Sequence, residues 1–249
     1  MEFSEKRIEN AVRFDLDGIK DTSTKLPHML PTSQVMQNYV DKVGLSRSLD
    51  TILIYTHPGS FSAARVWWTF RAFGFNAVIL QGGFKAWEAA GGAVTSGAPA
   101  VAEPQSKDQV VFNPKMVSTF DDVHAVIASG SILIDARSAG RFSGAENEPR
   151  PGLACGHIPG SVNLPFTEFF TSSDFSTFKS ADEIKQLFTS RGVDINSTST
   201  IISTCGSGVT ACVLSFALQL CGRPPELCPV YDGSWAEWGS RTDTPKATL

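Results

Sequence analysis

The sequence predicts an α/β protein of two domains, each a parallel sheet with helices on both faces, the first truncated on its N-terminal side. Three observations predict it. The chain repeats itself: Ile52 answers Ile201, Ala77 answers Cys228 and Trp87 answers Trp238, at a near-constant offset of about 150 residues. Each copy alternates an apolar strand, a loop, an apolar helix, a second strand and a short helix, the order that builds a parallel sheet. With 249 residues, 42% of them apolar and 18% charged, the chain can bury a real core and has no disordered composition.

In the first copy "TILIYT" (Thr51 to Thr56) reads as a strand and "VWWTFRAFG" as the helix after it. "AVILQGGFKAW" (Ala77 to Trp87) supplies the second strand and the short helix. The stretch Ala89 to Gln109 is rich in Gly, Ala, Ser and Pro and reads as a linker. Domain bounds of 1–95, a linker at 96–112 and a second domain at 113–249 follow. The second copy opens with "STFDDVHAVIASG", where Ser118 can cap a helix with Asp121 and Asp122 in its first turn. The strand "SILIDAR" and the loop "CGHIPGSVNLPF" come next. Ser180 and Glu183 stand at capping-box spacing before a helix that Gly192 stops. "TIISTC" and "VLSFALQLCG" then give the strand and helix that flank Cys205, and "CPVYDGSWAEW" the final strand and short helix. The first copy has no counterpart to the helix and strand at Ser118 to Arg137, because Glu9 to Asp17 already lines up with Pro159 to Phe166.

A net charge of −4 without a Lys/Arg block argues against a nucleic-acid surface, and no apolar run reaches the roughly 18 residues that span a bilayer. The first ten residues carry neither a signal-peptide core nor the acidic-poor composition of a transit peptide, so a cytoplasmic location is expected, with a mitochondrial one as the alternative. Five cysteines without a CxxC pair point to a reducing compartment, no metal site and no cofactor.

Cys205 is either a small core residue or a nucleophile. Cys212 and Cys221, inside an apolar helix, and Cys228, at the start of a strand, read as core; Cys155, in a Gly/Pro loop, has no assignable role. Cys205 instead ends a parallel strand, at the sheet edge where α/β folds place ligands. Gly206, Ser207, Gly208, Val209 and Thr210 after it let successive N–H groups turn toward one point at a helix N-terminus, which favours a thiolate.

The motifs "CGSGVTA", "DARSAGRFSG", "EPRPGLACGHIPGSVNLPF", "YDGSWAEW", "RFDLDGIKDTSTKLPHMLP" and "SAARVWWTFRAFG" together resemble the 3-mercaptopyruvate sulfurtransferases of the tandem-rhodanese family, over nearly the whole chain. The resemblance implies two rhodanese-like domains, of which only the second is catalytic. The matching loop of the first, "THPGSFSAAR", has no cysteine to carry a persulfide. It also implies that Arg141 and Arg150 clamp the substrate carboxylate, and that Arg137 is structural. Ser207, His28 and Asp17 would form a proton relay. Read without the resemblance, Arg141 and Arg150 are solvated loop residues, Ser207 a turn residue, Asp17 a solvated acid and His28 a loop histidine. Expected partners are 3-mercaptopyruvate as sulfur donor and thioredoxin, small thiols, cyanide or a sulfur-carrier protein as acceptors, with no direct nucleic acid and no membrane.

Charge argues for the same substrate. Thiosulfate is a dianion and calls for basic residues inside the cysteine loop, whereas "GSGVT" is uncharged and suits a mono-carboxylate held from outside. Thiosulfate sulfurtransferase is the enzymatic alternative, and a non-catalytic sulfur-relay or binding module is the alternative of another class. A Cys-x5-Arg phosphatase needs arginine where this chain has Ala211.

Overall fold

The computed structural model describes residues 3–98, 108–129 and 132–249. The chain forms two compact units. The first comprises Met1–Ser23, Leu30–Asn113 and Ser172–Phe178; the second comprises Thr24–Met29, Pro114–Thr171 and Lys179–Leu249.

The first unit runs β1 (Arg7–Ile8), α1 (Ser33–Val43), β2 (Thr51–Ile54), α2 (Ala63–Ala72), β3 (Asn76–Ile79), α3 (Gly83–Ala89) and β4 (Val94–Thr95). Thr32 caps α1 by accepting from the Val35 amide, and Gly44 ends it at φ 72°, a conformation open to glycine. β2 and β3 pair in parallel, Ile52 opposite Ala77 and Ile54 opposite Ile79. β1 and β4 form a separate antiparallel pair, so the stretch read as linker from Ala89 contributes a strand, held by Arg7 opposite Thr95 and Ile8 opposite Val94. Residues 99–107 of the expected linker lie outside the described residues. Beyond them the chain packs on the first unit again, where the Val111 and Asn113 amides donate to Phe73 and Ala72 carbonyls.

The second unit contains β5 (Val117–Ser118), α4 (Phe120–Ser129), β6 (Ile132–Asp135), α5 (Ala139–Ser143), β7 (Val162–Asn163), α6 (Ala181–Ser190), β8 (Ile201–Thr204), α7 (Ala211–Leu220), β9 (Val230–Tyr231) and α8 (Ser234–Trp238). Its five strands pair in the order β5-β9-β8-β6-β7, all in parallel. β8 is buried at every residue, as a parallel strand covered on both faces must be. Ile202 joins Val123, Leu133, Ile158, Tyr231, Trp235 and Trp238 in one core cluster.

The helix ends follow local chemistry. Ser180 and Glu183 form the reciprocal capping box, and Gly192 follows α6 at φ 73°. The α4 cap lies one residue past the expected Ser118. Thr119 Oγ1 accepts from the Asp122 amide while the Asp122 carboxylate accepts from the Thr119 amide and hydroxyl, leaving Ser118 to β5. Asp121 stands at the same distance from Ser118, so spacing does not separate the two; Ser118 is instead taken up by β5, where it pairs with Tyr231. α7 is apolar on nearly every face and buried accordingly. Cys212 and Cys228 are core, as read, but Cys221 is only half-buried, because it is the C-cap of α7 rather than an interior residue.

Candidate active site

β8 lies inside its sheet, so Cys205, the residue after it, sits at the carboxyl edge with 2% of its surface exposed. Its carbonyl accepts from the Trp235 amide at 2.9 Å and the Gly206 carbonyl from the Ala236 amide at 2.9 Å, which ties the loop to α8. Ser234 is the second tie. Its hydroxyl accepts from the amides of Cys205 (3.2 Å) and Gly208 (3.1 Å) and donates to the Tyr231 carbonyl at 2.8 Å. Ser234 is fully buried and has φ 49°, a strained conformation for a side-chain-bearing residue.

The remaining loop amides matter more for chemistry. Among the described residues, no hydrogen bond uses the N–H of Gly206, Ser207, Val209, Thr210 or Ala211. Five donors at the head of a ten-residue helix, in a largely buried loop, make a place that favours an anion.

Arg141 lies against this loop, and a shared carboxylate links it to Arg137. Arg141, one turn into α5, places Nη2 so close to Gly206 that a Cβ there would lie 2.7 Å from it. Its guanidinium donates to both carboxylate oxygens of Glu148, Nε at 3.1 Å and Nη2 at 2.6 Å. Glu148 also accepts from Arg137 Nη1 at 2.8 Å, so one buried carboxylate is shared by two guanidiniums. Arg137 is structural in its contacts: it is buried, donates to Asp135 and to the Gly156 carbonyl, and lies 4.3 Å over the Trp235 ring. Burial works against its charge, but Asp135 and Glu148 outweigh burial and raise its pKa above the ordinary arginine value. Arg150 is half-buried and has no ion pair among the described residues.

His28 belongs to the second unit through the segment Thr24–Met29, and its Nδ1 shares a 3.0 Å hydrogen bond with Ser207 Oγ. His28 also has positive φ, 58°. Asp17 belongs to the first unit, where it is solvent-exposed and 3.7 Å from Lys20. Among the described residues no cluster of three or more His, Cys, Asp or Glu side chains is placed to hold a metal. Among the described residues no helix is long and apolar enough to cross a membrane.

Sequence reading missed Ser234 and Glu148. The repeat could have found the first. Gly83 occupies the corresponding place in the first unit, at φ 58°, beside Phe84, whose amide donates to the Thr56 carbonyl at 3.0 Å as Trp235 does to Cys205. Thr56 therefore stands where Cys205 stands, and Gly83 has no hydroxyl to tie its loop. Glu148 lies within the quoted "EPR" motif, but nothing local in that motif marks it as the partner of two arginines.

A buried cysteine at a strand-loop-helix turn, on one of two repeated α/β units, defines a tandem α/β protein with one cysteine loop. Comparison with known proteins agrees. The rhodanese-like domain family matches residues 1–90 and 119–241. A 3-mercaptopyruvate sulfurtransferase of Rattus norvegicus is 42% identical over 96% of this chain and 79% of its own length. A mitochondrial thiosulfate/3-mercaptopyruvate sulfurtransferase of Arabidopsis thaliana is 38% identical over 98% and 68%. Among solved structures, the 3-mercaptopyruvate sulfotransferase SseA of Escherichia coli superposes with TM-score 0.78 at 34% identity, covering 92% of this chain and 83% of that one. The chain belongs to the rhodanese family of sulfurtransferases.

Proposed function

We propose that this chain is a 3-mercaptopyruvate sulfurtransferase that carries sulfur as a persulfide on Cys205. The Cys205 thiolate attacks the substrate's sulfur, the S–C bond breaks, and its electron pair leaves on the methylene carbon as the enolate of pyruvate. The proton of the substrate thiol ends on that carbon, which gives pyruvate and leaves an anionic persulfide. Charges and atoms then balance without an external oxidant. An acceptor thiolate next attacks the outer sulfur and restores Cys205. Sulfur donor and acceptor thiol are the general partners of the family; thioredoxin, small thiols, cyanide and a sulfur-carrier protein are the acceptors we propose.

The observation that carries the reading is the uncharged Cys205 loop, with five amides that make no hydrogen bond among the described residues and Arg141 lying against Gly206. Gly206, Val209 and Thr210 hold the persulfide through backbone, whereas the Gly208 amide, expected to join them, donates to Ser234 Oγ and shapes the loop instead; the guanidiniums of Arg141 and Arg150 receive the carboxylate. Ser207 and His28, 3.0 Å apart, pass the proton. Asp17 as the relay's carboxylate rests on the family resemblance alone. Thiosulfate is the second substrate we propose, weaker because the loop offers no cation to a dianion; the Arabidopsis relative is named for both. That relative is mitochondrial by name, and fractionation of the native protein separates a mitochondrial from a cytoplasmic location.

Intact-protein mass after brief exposure to 3-mercaptopyruvate tests the proposal. A gain of one sulfur, roughly 32 Da, is expected on the wild type, larger in extent than with thiosulfate, and none on Cys205→Ser. A folded wild type that gains no sulfur overturns it.

A further inference from the structure

α5 carries Arg141 and is five residues long, little more than one turn. A helix that short does not hold itself in water, so whatever fixes its ends fixes the arginine it carries. Its start is local, where Ser138 Oγ accepts from the Arg141 amide at 3.4 Å. Its end depends on residues far along the chain. The Phe142 carbonyl accepts from His157 Nδ1 at 2.8 Å, and the Ser143 carbonyl accepts from the Leu249 amide at 3.0 Å. A carbonyl only accepts, so Nδ1 of His157 carries the proton. The imidazole also stacks on the Phe142 ring, 3.9 Å between centroids and 11° from parallel.

His157 is itself fixed. It is 5% exposed, and its amide and carbonyl both pair with Ala247, at 2.8 and 3.0 Å. Gly156 before it has φ 102°, and a Cβ there would collide with the Ala247 carbonyl oxygen, so the pairing needs glycine. The Gly156 carbonyl accepts from Arg137 Nη2 at 2.9 Å, and Arg137 shares Glu148 with Arg141. Arg141 is thus tied at both ends to one dipeptide. Its backbone is held through the His157 ring, and its guanidinium through Glu148, Arg137 and the Gly156 carbonyl. The leverage is large: a guanidinium stands about 7 Å from the axis of its helix, so turning α5 by about 10° moves it by about 1 Å. Misplacement on that scale costs up to about a hundredfold in rate.

We propose that His157 is a positioning residue for Arg141. Its Nδ1–H holds the Phe142 carbonyl, and with it the rotation of α5 about its axis, so that the guanidinium meets the substrate carboxylate beside the Cys205 loop. This role rests on the reading of Arg141 as a receiver of the mercaptopyruvate carboxylate. His157 takes no part in the sulfur chemistry and acts through Arg141 alone.

The test is a double-mutant cycle in steady-state mercaptopyruvate turnover, with His157→Phe, Arg141→Ala and the two together. Phenylalanine keeps the stack on Phe142 and loses the Nδ1 hydrogen bond. KM is expected to rise by about fivefold or more with kcat little changed. In the Arg141→Ala background the same substitution should change KM by less than about twofold, because the group it positions is gone. His157→Asn, whose amide nitrogen reaches the place of Nδ1, should return KM to within about twofold of the wild type, whereas His157→Gln, one methylene longer, should not. Sulfur already on Cys205 should pass to dithiothreitol at the wild-type rate in every His157 variant. An unchanged KM in His157→Phe overturns the proposal, as does a KM effect equally large with and without Arg141, or a slowed discharge of the persulfide. If neither His157→Phe nor His157→Gln folds, the residue is structural only and the proposal fails as well. A wild-type KM in Arg141→Ala overturns instead the reading of Arg141, and leaves His157 nothing to position.

Discussion

Replacing Ser234 by alanine removes one hydroxyl that serves three buried backbone groups: the Cys205 and Gly208 amides, which donate to it, and the Tyr231 carbonyl, which accepts from it. The site is closed, with Ser234, Cys205 and Tyr231 all at 2% exposure or less, so water does not readily take the hydroxyl's place. Each neutral hydrogen bond contributes about 0.5–1.5 kcal/mol, and each buried group left unpaired costs about 1–3 kcal/mol. Partial relaxation brings the expected destabilisation to about 2–4 kcal/mol. Alanine keeps the left-handed backbone at φ 49°, so that strain persists. Glycine, which holds this place in the first unit as Gly83, relieves about 1 kcal/mol of it. Ser234→Gly should therefore unfold at a higher temperature than Ser234→Ala, although both lack the hydroxyl. Loosening the loop also misplaces the sulfur, and single-turnover persulfide formation should slow by about tenfold to a hundredfold in both variants. Thermal unfolding and time-resolved intact mass read the two effects. If Ser234→Ala melts with the wild type and acquires sulfur at the wild-type rate, the tie assigned to Ser234 is wrong.

Ser207→Ala should slow sulfur transfer from mercaptopyruvate by about tenfold to a hundredfold and leave transfer from thiosulfate nearly unchanged. Only the first reaction must deliver a proton to carbon, so equal loss with both donors would contradict the Ser207–His28 assignment. Gly206→Ala puts a methyl 2.7 Å from Arg141 Nη2. It should raise KM for mercaptopyruvate with little change in kcat, and an unchanged KM would remove Arg141 from the binding site. Glu148→Gln leaves Arg137 with Asp135 but removes the carboxylate charge that holds Arg141, so a loss of about 2 kcal/mol or more is expected in urea unfolding. Burial pushes the Cys228 thiol up to about 11. The unfolded thiol ionises at lower pH than the folded one, so stability is full below the ordinary thiol pKa and falls as pH rises toward 11, by about 2–3 kcal/mol. Urea midpoints at neutral and alkaline pH should show that slope, and Cys228→Ala should flatten it.

Much of the local architecture was legible because it is written within a few residues. The repeat, the strand-loop-helix around Cys205, the capping box of Ser180 with Glu183 and the stop at Gly192 all depend on neighbours within a turn or two. Local rules also set the limit of that reading. Ser118 and Thr119 each stand three residues before an aspartate, and the pairing of Ser118 with Tyr231 in β5 left Thr119 as the cap. The half-buried state of Cys221 depended on which residue ended α7, a boundary that hydrophobic pattern places only approximately.

By itself, then, the sequence determined an α/β chain of two rhodanese-like units, with an uncharged loop at the end of one strand that carries Cys205 where the matching loop of the other unit has no cysteine. Tertiary structure alone decided what surrounds that loop. Ser234 reaches Cys205 across 29 residues, and His28, which the resemblance had grouped with Ser207, meets it across 179 with a 3.0 Å hydrogen bond. Glu148 is shared by Arg137 and Arg141 because β6 and α5 aim both guanidiniums at one buried carboxylate. Leu53 and Ile202 are the same position in the repeat, yet one is exposed and the other buried. The physical reason is common to all four. Propensity, periodicity and caps act over one turn of chain, whereas burial and long-range hydrogen bonding depend on which strands the sheet sets side by side.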